Sequence, residues 1–364
     1  MNELKQNELE KRSWLKENKP RVYEKVSKFA EKAKRGESIA IIQFQYDYTC
    51  NFKCPHCSVK RFQGKKQGRY FTIKDVEELS RQADEMGLAN MVITGGEPLV
   101  FRDLDYLVKA IDPKKFYISS DTNGWLLNYE KAKHLKEIGI DKIQLSLDSI
   151  TENNSENFHG KGKTNGWALK ALDASLKAEL NTIVQTVVTK QRVRSKEFID
   201  FLEYLNKKDV GVFVTYAKPV GAWEGNFDIL VDKEDMNYVK ELEKRYKVFT
   251  HLTPSYGLDL GCIAVKRMIS ITKYGDVMPC PYIHVSLGNF FKEPLKDIVE
   301  RGLKIKYFGN HCDTCLIAED RNFIDKYVVG RIYNKPLPVP YDRVFDKEDF
   351  IEKPDFVKKD ILTQ

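Results

Sequence analysis

The sequence predicts an α/β fold, with a partial (β/α)6 barrel of the TIM type followed by a small domain built from a β-hairpin and a helix. Strand-like and helix-like segments alternate along much of the chain, as expected of repeated βα units around a parallel sheet. Chemically functional residues follow several predicted strands directly, and a second group of cysteines follows the last one. A chain of 364 residues with 42% hydrophobic content is long enough to bury both cores.

The elements divide the chain into four regions. Residues 1–38 predict a charged N-terminal helical extension, in which Val22, Val26, Phe29 and Ala33 form an apolar stripe that packs under the barrel. The predicted regions are the extension 1–38, the barrel 39–232, a cysteine-bearing domain with its linking helix 233–335, and a C-terminal tail 336–364. The six predicted barrel strands span 39–46, 91–94, 116–120, 142–147, 182–189 and 212–217.

Helices are predicted between these strands. Thr72 to Asp75 has the pattern of a capping box, and the apolar stripe that follows ends at Gly87. Segments 166–180 and 195–205 show the same periodicity. Each apolar stripe is expected to pack on the barrel.

Composition excludes several classes of protein. The net charge of +7, from 60 basic and 53 acidic residues, is too small to indicate nucleic-acid binding by itself. No stretch is apolar enough to cross a membrane, and the N-terminus lacks a secretory signal. Seven cysteines in two metal-type patterns fit a reducing compartment better than a disulfide framework. We therefore expect a cytoplasmic protein without disulfides.

Basic residues cluster after the first strand and in one glycine-rich loop. They are either solvated loop residues or a rim that binds an anionic substrate. The residues concerned are Lys60, Arg61, Lys65, Lys66, Arg69, Lys161 and Lys163.

Three cysteines, Cys50, Cys54 and Cys57, form a CxxxCxxC loop directly after the first predicted strand. Three thiolates hold three corners of a four-iron cube and leave the fourth iron open to bind and activate a ligand. A zinc loop is the alternative, because CxxC pairs are common in zinc sites.

A second motif, Gly95-Gly96-Glu97-Pro98, ends the second predicted strand. Its glycines let the backbone approach a ligand closely, and the carboxylate of Glu97 can accept from an ammonium group. The cysteine loop and this turn together resemble the motifs of radical S-adenosylmethionine (SAM) enzymes. The resemblance implies that SAM binds the open iron of a [4Fe-4S] cluster and is cleaved to a 5′-deoxyadenosyl radical. It also implies an electron donor such as flavodoxin or ferredoxin.

The same resemblance implies further SAM contacts. His56 occupies the position where the family usually carries an aromatic ring beside the adenine, and Gly95, Gly96 and Glu97 hold the amino group. Asn123 follows the third strand, and Ser146 and Asp148 share a strand face on which they reach the ribose hydroxyls. Independently of the resemblance, a Pro-x-Gly turn at the barrel rim would place Tyr216, Lys218 or Trp223 near the adenine or the substrate; the alternative is that this aromatic-rich turn packs against the next domain. Gln185 is a looser candidate.

Four more cysteines, Cys262, Cys280, Cys312 and Cys315, lie beyond the barrel. Four thiolates suit a fully ligated cluster, and the spacing resembles the Twitch form of the SPASM domain, which holds one auxiliary [4Fe-4S] cluster. Zinc is again the alternative.

These assignments use all seven cysteines, so no thiol remains to donate a hydrogen atom and epimerisation is disfavoured. Electron transfer to the auxiliary cluster is the remaining use. The arrangement resembles that of the 2-deoxy-scyllo-inosamine dehydrogenases, so we expect oxidation or dehydration of a carbohydrate- or cyclitol-like small molecule. The alternatives are a maturase that oxidises or crosslinks a ribosomally made peptide, and a non-catalytic metal-binding scaffold.

Overall fold

The computed structural model describes residues 3–63, 68–150 and 165–362, and a ten-stranded sheet forms its centre. The strand order is β12-β10-β9-β1-β2-β3-β4-β5-β6-β7. The strands are β1 (Ile41–Asp47), β2 (Asn90–Gly95), β3 (Tyr117–Thr122), β4 (Lys142–Ser146), β5 (Asn181–Val188), β6 (Val212–Tyr216), β7 (Val248–Thr250), β8 (Leu258–Asp259), β9 (Met268–Ile271), β10 (Asp276–Met278), β11 (Val285–Ser286), β12 (Gly288–Asn289), β13 (Val339–Pro340) and β14 (Lys359–Asp360).

The helices lie mainly between the parallel strands, as βα connections require. They are α1 (Glu3–Asn18), α2 (Pro20–Ser27), α3 (Phe29–Lys34), α4 (Ile73–Glu85), α5 (Leu104–Ile111), α6 (Tyr129–Ile138), α7 (Asn165–Lys177), α8 (Lys196–Lys207), α9 (Lys233–Leu242), α10 (Leu295–Leu303), α11 (Lys306–Gly309) and α12 (Arg321–Phe323), which continues as a π-helix over Ile324–Ile332. The predicted capping box is present at α4, where Thr72 and Asp75 bond each other reciprocally.

All six predicted strands are present, and β1 to β7 pair in parallel in chain order. The seventh strand escaped prediction because three residues are too few to show an alternating pattern. The predicted hairpin is β9–β10, and β9 pairs in parallel with β1. The small domain therefore continues the barrel sheet at the edge of β1.

The N-terminal helices cover the amino ends of the barrel strands. Val22, Val26 and Phe29 are each 1% exposed, as the apolar stripe predicted. The buried ammonium of Lys25 donates to the carbonyl of Leu88 at 2.9 Å and pairs with a carboxylate of α4 at 2.7 Å. The extension thus lies at the end of the barrel opposite to the carboxyl ends of the strands.

The C-terminal segment packs on the small domain. Strand β13 pairs with β11, and β14 pairs with β8. The amide of His311 donates to the carbonyl of Asp355 at 3.0 Å. Residues 336–362, part of the segment predicted as a tail, thus add strands to the small domain. Within the described ranges, no helix combines the length and apolar character needed to cross a bilayer.

Candidate functional site

One cavity lies at the carboxyl ends of the barrel strands, where parallel barrels place their chemistry. It brings together every residue that the sequence predicted to contact SAM. These lining residues are Cys50, Cys54, His56, Cys57, Gly95, Gly96, Glu97, Asn123, Ser146, Asp148, Gln185 and Tyr216.

The glycine turn after β2 packs directly on the start of the cysteine loop. The amide of Gly96 donates to the carbonyl of Asp47 at 2.8 Å, and that of Glu97 donates to the carbonyl of Thr49 at 2.9 Å. A Cβ atom on Gly96 would lie 2.0 Å from the Thr49 oxygen. No side chain fits there, so the glycine is what lets the two motifs meet.

The loop after β6 holds the other side of the cysteine loop. The amide of Ala222 donates to the carbonyl of Cys57 at 3.1 Å. Gly221 has a φ of +66°, and a Cβ atom there would lie 2.2 Å from the same carbonyl. The cysteine loop is therefore held between two close backbone contacts.

Replacing Gly96 with alanine is expected to displace the cysteine loop, because the added carbon collides with backbone and cannot be relieved by a rotamer change. We expect loss of iron at the three-cysteine loop and at least about tenfold weaker SAM binding, with auxiliary iron retained. Iron analysis and SAM titration measure both. Gly166 in α7 is the control, since a Cβ atom there meets nothing within 4 Å. Normal loading in Gly96→Ala would contradict the role of the close contact.

Glu97 joins the turns after β2 and β3. Its carboxylate accepts from the hydroxyl of Thr122 at 2.6 Å, from the amide of Asn123 at 2.7 Å and from the amide of Leu99 at 3.1 Å. Burial raises the pKa of this carboxyl to about 7. The side chain of Asn123 in turn donates to that of Asn51, inside the cysteine loop, at 2.9 Å. Contact of Glu97 with the SAM amino group stays a prediction.

Asp148 joins β4 to β5. Its Oδ1 atom accepts from the hydroxyl of Thr186 at 2.9 Å and from the amide of Val187 at 2.7 Å. The guanidinium of Arg192 donates to the Asp148 carbonyl and to the Thr186 hydroxyl. Ser146 and Asp148 line the same cavity, as their shared strand face predicted. These contacts fix the carboxylate at the cavity wall.

Asp148→Ala is expected to raise the SAM dissociation constant about tenfold, the loss of one hydrogen bond to a charged group. Titration of the reconstituted, unreduced protein with SAM measures it. Asp173→Ala is the matched control, because Asp173 pairs with Lys208 on an exposed helix face. A dissociation constant that is unchanged in a folded Asp148→Ala protein would place the ribose contact elsewhere.

An aromatic group closes one side of the cavity. The rings of His56 and Trp223 lie 5.5 Å apart with an interplanar angle of 47°. Tyr216 is 1% exposed, and burial raises the pKa of its phenol far above the usual range. These rings can contact an adenine, which is the role that the sequence predicted for His56 and Tyr216.

The interior below the cysteine loop is polar, which sequence reasoning missed. Gln43, Gln45, Thr94, Asp121 and Thr215 line the cavity. Burial raises the pKa of Asp121 to about 6, although hydrogen bonds from side chains that include Gln144 and Thr94 act to lower it. The available signal was in β1, where glutamines alternate with Ile42 and Phe44 on a strand expected to be buried.

The auxiliary cysteines come together beside this cavity. The amide of Cys262 donates to the carbonyl of Cys312 at 2.7 Å. Burial raises the pKa of the Cys280 and Cys315 thiols to about 12. Among the described residues, no group of three or more His, Cys, Asp and Glu side chains is placed to hold a single metal ion. A four-iron cube holds its thiolates farther apart than a single metal ion does.

The predicted basic rim is only partly described. Lys65, Lys66, Lys161 and Lys163 lie outside the described residues. Arg61 pairs with Glu224 at 2.6 Å, and Arg69 pairs with Asp75. Both arginines are thus engaged in ion pairs.

Two family models match the chain, one over the region of the three-cysteine loop and one over the region of the auxiliary cysteines. The Radical SAM superfamily model matches residues 47–205, and the model of the SPASM iron-sulfur cluster-binding domain matches residues 262–316. The chain thus carries a radical SAM domain followed by an iron-sulfur SPASM domain. The two domains imply a SAM-binding [4Fe-4S] cluster and an auxiliary cluster, and they favour iron over zinc at both cysteine groups.

Curated relatives of this radical SAM protein carry the name GTP 3′,8-cyclase. The protein from Nautilia profundicola is 28% identical over 266 residues, which are 68% of this chain and 82% of that one. The Campylobacter curvus protein is 26% identical over 290 residues, covering 74% and 86%. The expected likeness to a cyclitol dehydrogenase is thus not what these sequences show.

Solved structures share the fold at low identity. Streptococcus suis SuiB bound to its precursor peptide SuiA aligns with a TM-score of 0.59 at 19% identity, covering 74% of this chain and 67% of SuiB. The protein anSMEcpe with bound AdoMet aligns with a TM-score of 0.54 at 18% identity, covering 72% and 80%. These likenesses support the partial-barrel fold, and the C-terminal SPASM domain rests on the family-model match over residues 262–316.

Proposed function

We propose that this radical SAM enzyme takes a hydrogen atom from a small polar, carbohydrate-like substrate and oxidises or dehydrates it beside the auxiliary centre. One observation carries the proposal. Pro281 and Tyr282, which directly follow Cys280, line the same cavity as the three-cysteine loop. A substrate in that cavity would lie between the two cysteine groups.

The bound cofactors supply the radical and an acceptor for one electron. An alcohol that gives up its C–H hydrogen atom to the deoxyadenosyl radical must then lose one electron and its O–H proton to become a ketone. The chain's own side chains bind the substrate, orient the reacting carbon and exclude water. Asp121, a carboxylate whose pKa burial raises to about 6, is available in the cavity as a proton acceptor.

The polar lining supports the substrate class. Gln43, Gln185 and Thr215 offer both hydrogen-bond donors and acceptors to a ligand in the cavity, whereas the amide of Gln45 is already bonded to Ser270 and Tyr48. A compact molecule with several hydroxyl groups could satisfy them, whereas an apolar ligand would leave buried polar atoms without partners at a free-energy cost.

The second candidate is modification of a ribosomally made peptide. SuiB, solved with a precursor peptide, shares the fold. The position of the N-terminal helices disfavours a role for them in binding a leader peptide. Lys25 bonds them to the carbonyl of Leu88, at the end of the barrel away from the cavity.

The test is an anaerobic assay of the reconstituted, reduced protein with SAM and a substrate panel, read by mass spectrometry. The panel contains cyclitols and amino sugars, GTP because of the named relatives, and a short peptide. Deoxyadenosine formation raised by a polyol, with the corresponding ketone or deoxy product, supports the proposal. A peptide product or consumption of GTP would replace the substrate class, and absence of deoxyadenosine would contradict the proposal as a whole.

A further inference from the structure

Two buried lysines lie beside the auxiliary cysteines. Lys218 follows β6 and is 6% exposed, while Lys266 precedes β9 and is 0% exposed. The Nζ atom of Lys218 donates to the carbonyl of Tyr216 at 2.6 Å, and that of Lys266 donates to the carbonyl of Asn310 at 2.7 Å. Both ammonium groups are therefore held in place by backbone carbonyls.

Neither ammonium has a carboxylate partner in the described part of the chain, unlike Lys25, which pairs with Asp84 at 2.7 Å. A buried charge without a counter-ion is strongly disfavoured. A nearby anion would offset these two charges and keep both groups protonated.

The cysteines provide that anion. Burial lowers the pKa of both lysines, and thiolate charges act against this lowering. For Lys218 the opposing charges are those of Cys315, Cys280 and Cys262; for Lys266 they are those of Cys262 and Cys312. Geometry agrees with this, because the Asn310 carbonyl that holds Lys266 lies two residues before Cys312. Between them the two lysines interact with the charges of all four cysteines. The Nζ atom of Lys218 also lies 4.3 Å from the ring centre of Tyr282, which is two residues beyond Cys280.

We propose that Lys218 and Lys266 offset the negative charge of the auxiliary cluster and thereby raise its reduction potential. An oxidised [4Fe-4S] cluster with four thiolates carries a net charge of about −2, which two ammonium groups neutralise. Reduction adds one more negative charge, and nearby positive charge in a medium of low dielectric stabilises that state. The inference rests on the auxiliary cluster of the proposed function. It makes both lysines positioning and tuning residues for electron transfer.

The two lysines differ in one useful respect. Lys218 lines the substrate cavity, whereas Lys266 is fully buried and does not line it. Lys218→Met changes both the cluster and the cavity, while Lys266→Met changes only the surroundings of the cluster. An effect common to both variants is therefore an effect on the cluster.

The test is an EPR-monitored redox titration of the full chain carrying Cys54→Ala, so that the signal arises from the auxiliary cluster alone. Lys218→Met and Lys266→Met are each expected to shift the midpoint potential to more negative values, and the arginine variants to retain it. Lys32→Met is the matched control, since this half-buried lysine donates to the Met86 carbonyl in the N-terminal region. The control is expected to leave the potential unchanged.

Unchanged potentials in both methionine variants with loaded clusters would overturn the inference and leave the proposed function standing. If the methionine variants fold but bind no auxiliary iron, loading restored by arginine supports charge compensation, and loading absent from all four variants overturns it. Absence of auxiliary iron in the Cys54→Ala parent would overturn both the inference and the electron-acceptor part of the proposed function.

Discussion

Cys54→Ala is expected to abolish SAM cleavage and to leave the auxiliary iron in place. Cys54 is the middle ligand of a loop that offers three thiols, and two thiols are too few to retain a four-iron cube that keeps one iron open. The loop is held by the glycine turn on one side and by Gly221 on the other, so the rest of the fold does not depend on this thiol. We expect deoxyadenosine to fall to background.

Iron analysis and deoxyadenosine assay of the reconstituted variant measure this result. Iron should fall from about eight to about four atoms per chain. Cys280→Ala is the reciprocal control, because it removes a thiol from the other centre. Retained cleavage in Cys54→Ala would contradict the assignment of the open cluster to the loop after β1.

The site was predictable where the chemistry is local in sequence. Cys50, Cys54 and Cys57 lie within one loop, and the glycine turn lies at the end of the next strand, so their spacing and the resemblance that it carries predicted both motifs. Strand length limited the fold prediction, since β7 has three residues. Its absence from the prediction did not affect the position of the cavity.

The interactions that required the structure are those between distant segments. The hydrogen bond from Thr122 to Glu97 depends on the register of β2 against β3, and the sequence shows only that each strand ends in polar residues. Lys218 was predicted to lie near the adenine or the substrate. Only the structure shows that it also lies near the auxiliary cysteines. Lys266 lies four residues after Cys262, but the cysteine spacing assigns it no role. A buried lysine in sequence looks like a surface lysine until its partners are known.

Cys280→Ala is expected to separate SAM cleavage from substrate turnover. Cys280 lies directly before Pro281 and Tyr282, which line the cavity. The three-cysteine loop follows β1, far from Cys280 in the sequence, and keeps all three of its thiols in this variant. We expect auxiliary iron to be lost, about four of about eight atoms, with uncoupled deoxyadenosine formation retained.

Product formation in Cys280→Ala is expected to fall to background with the substrate that the panel identifies, because an oxidised product requires an acceptor for the second electron. The ratio of product to deoxyadenosine measures this, and it is independent of the total amount of active enzyme. Cys54→Ala distinguishes the two losses, since it removes both products at once. A Cys280→Ala protein that lacks auxiliary iron and still turns over with an unchanged ratio would exclude the auxiliary centre as the electron acceptor. The cavity wall at Tyr282 would then serve substrate binding alone.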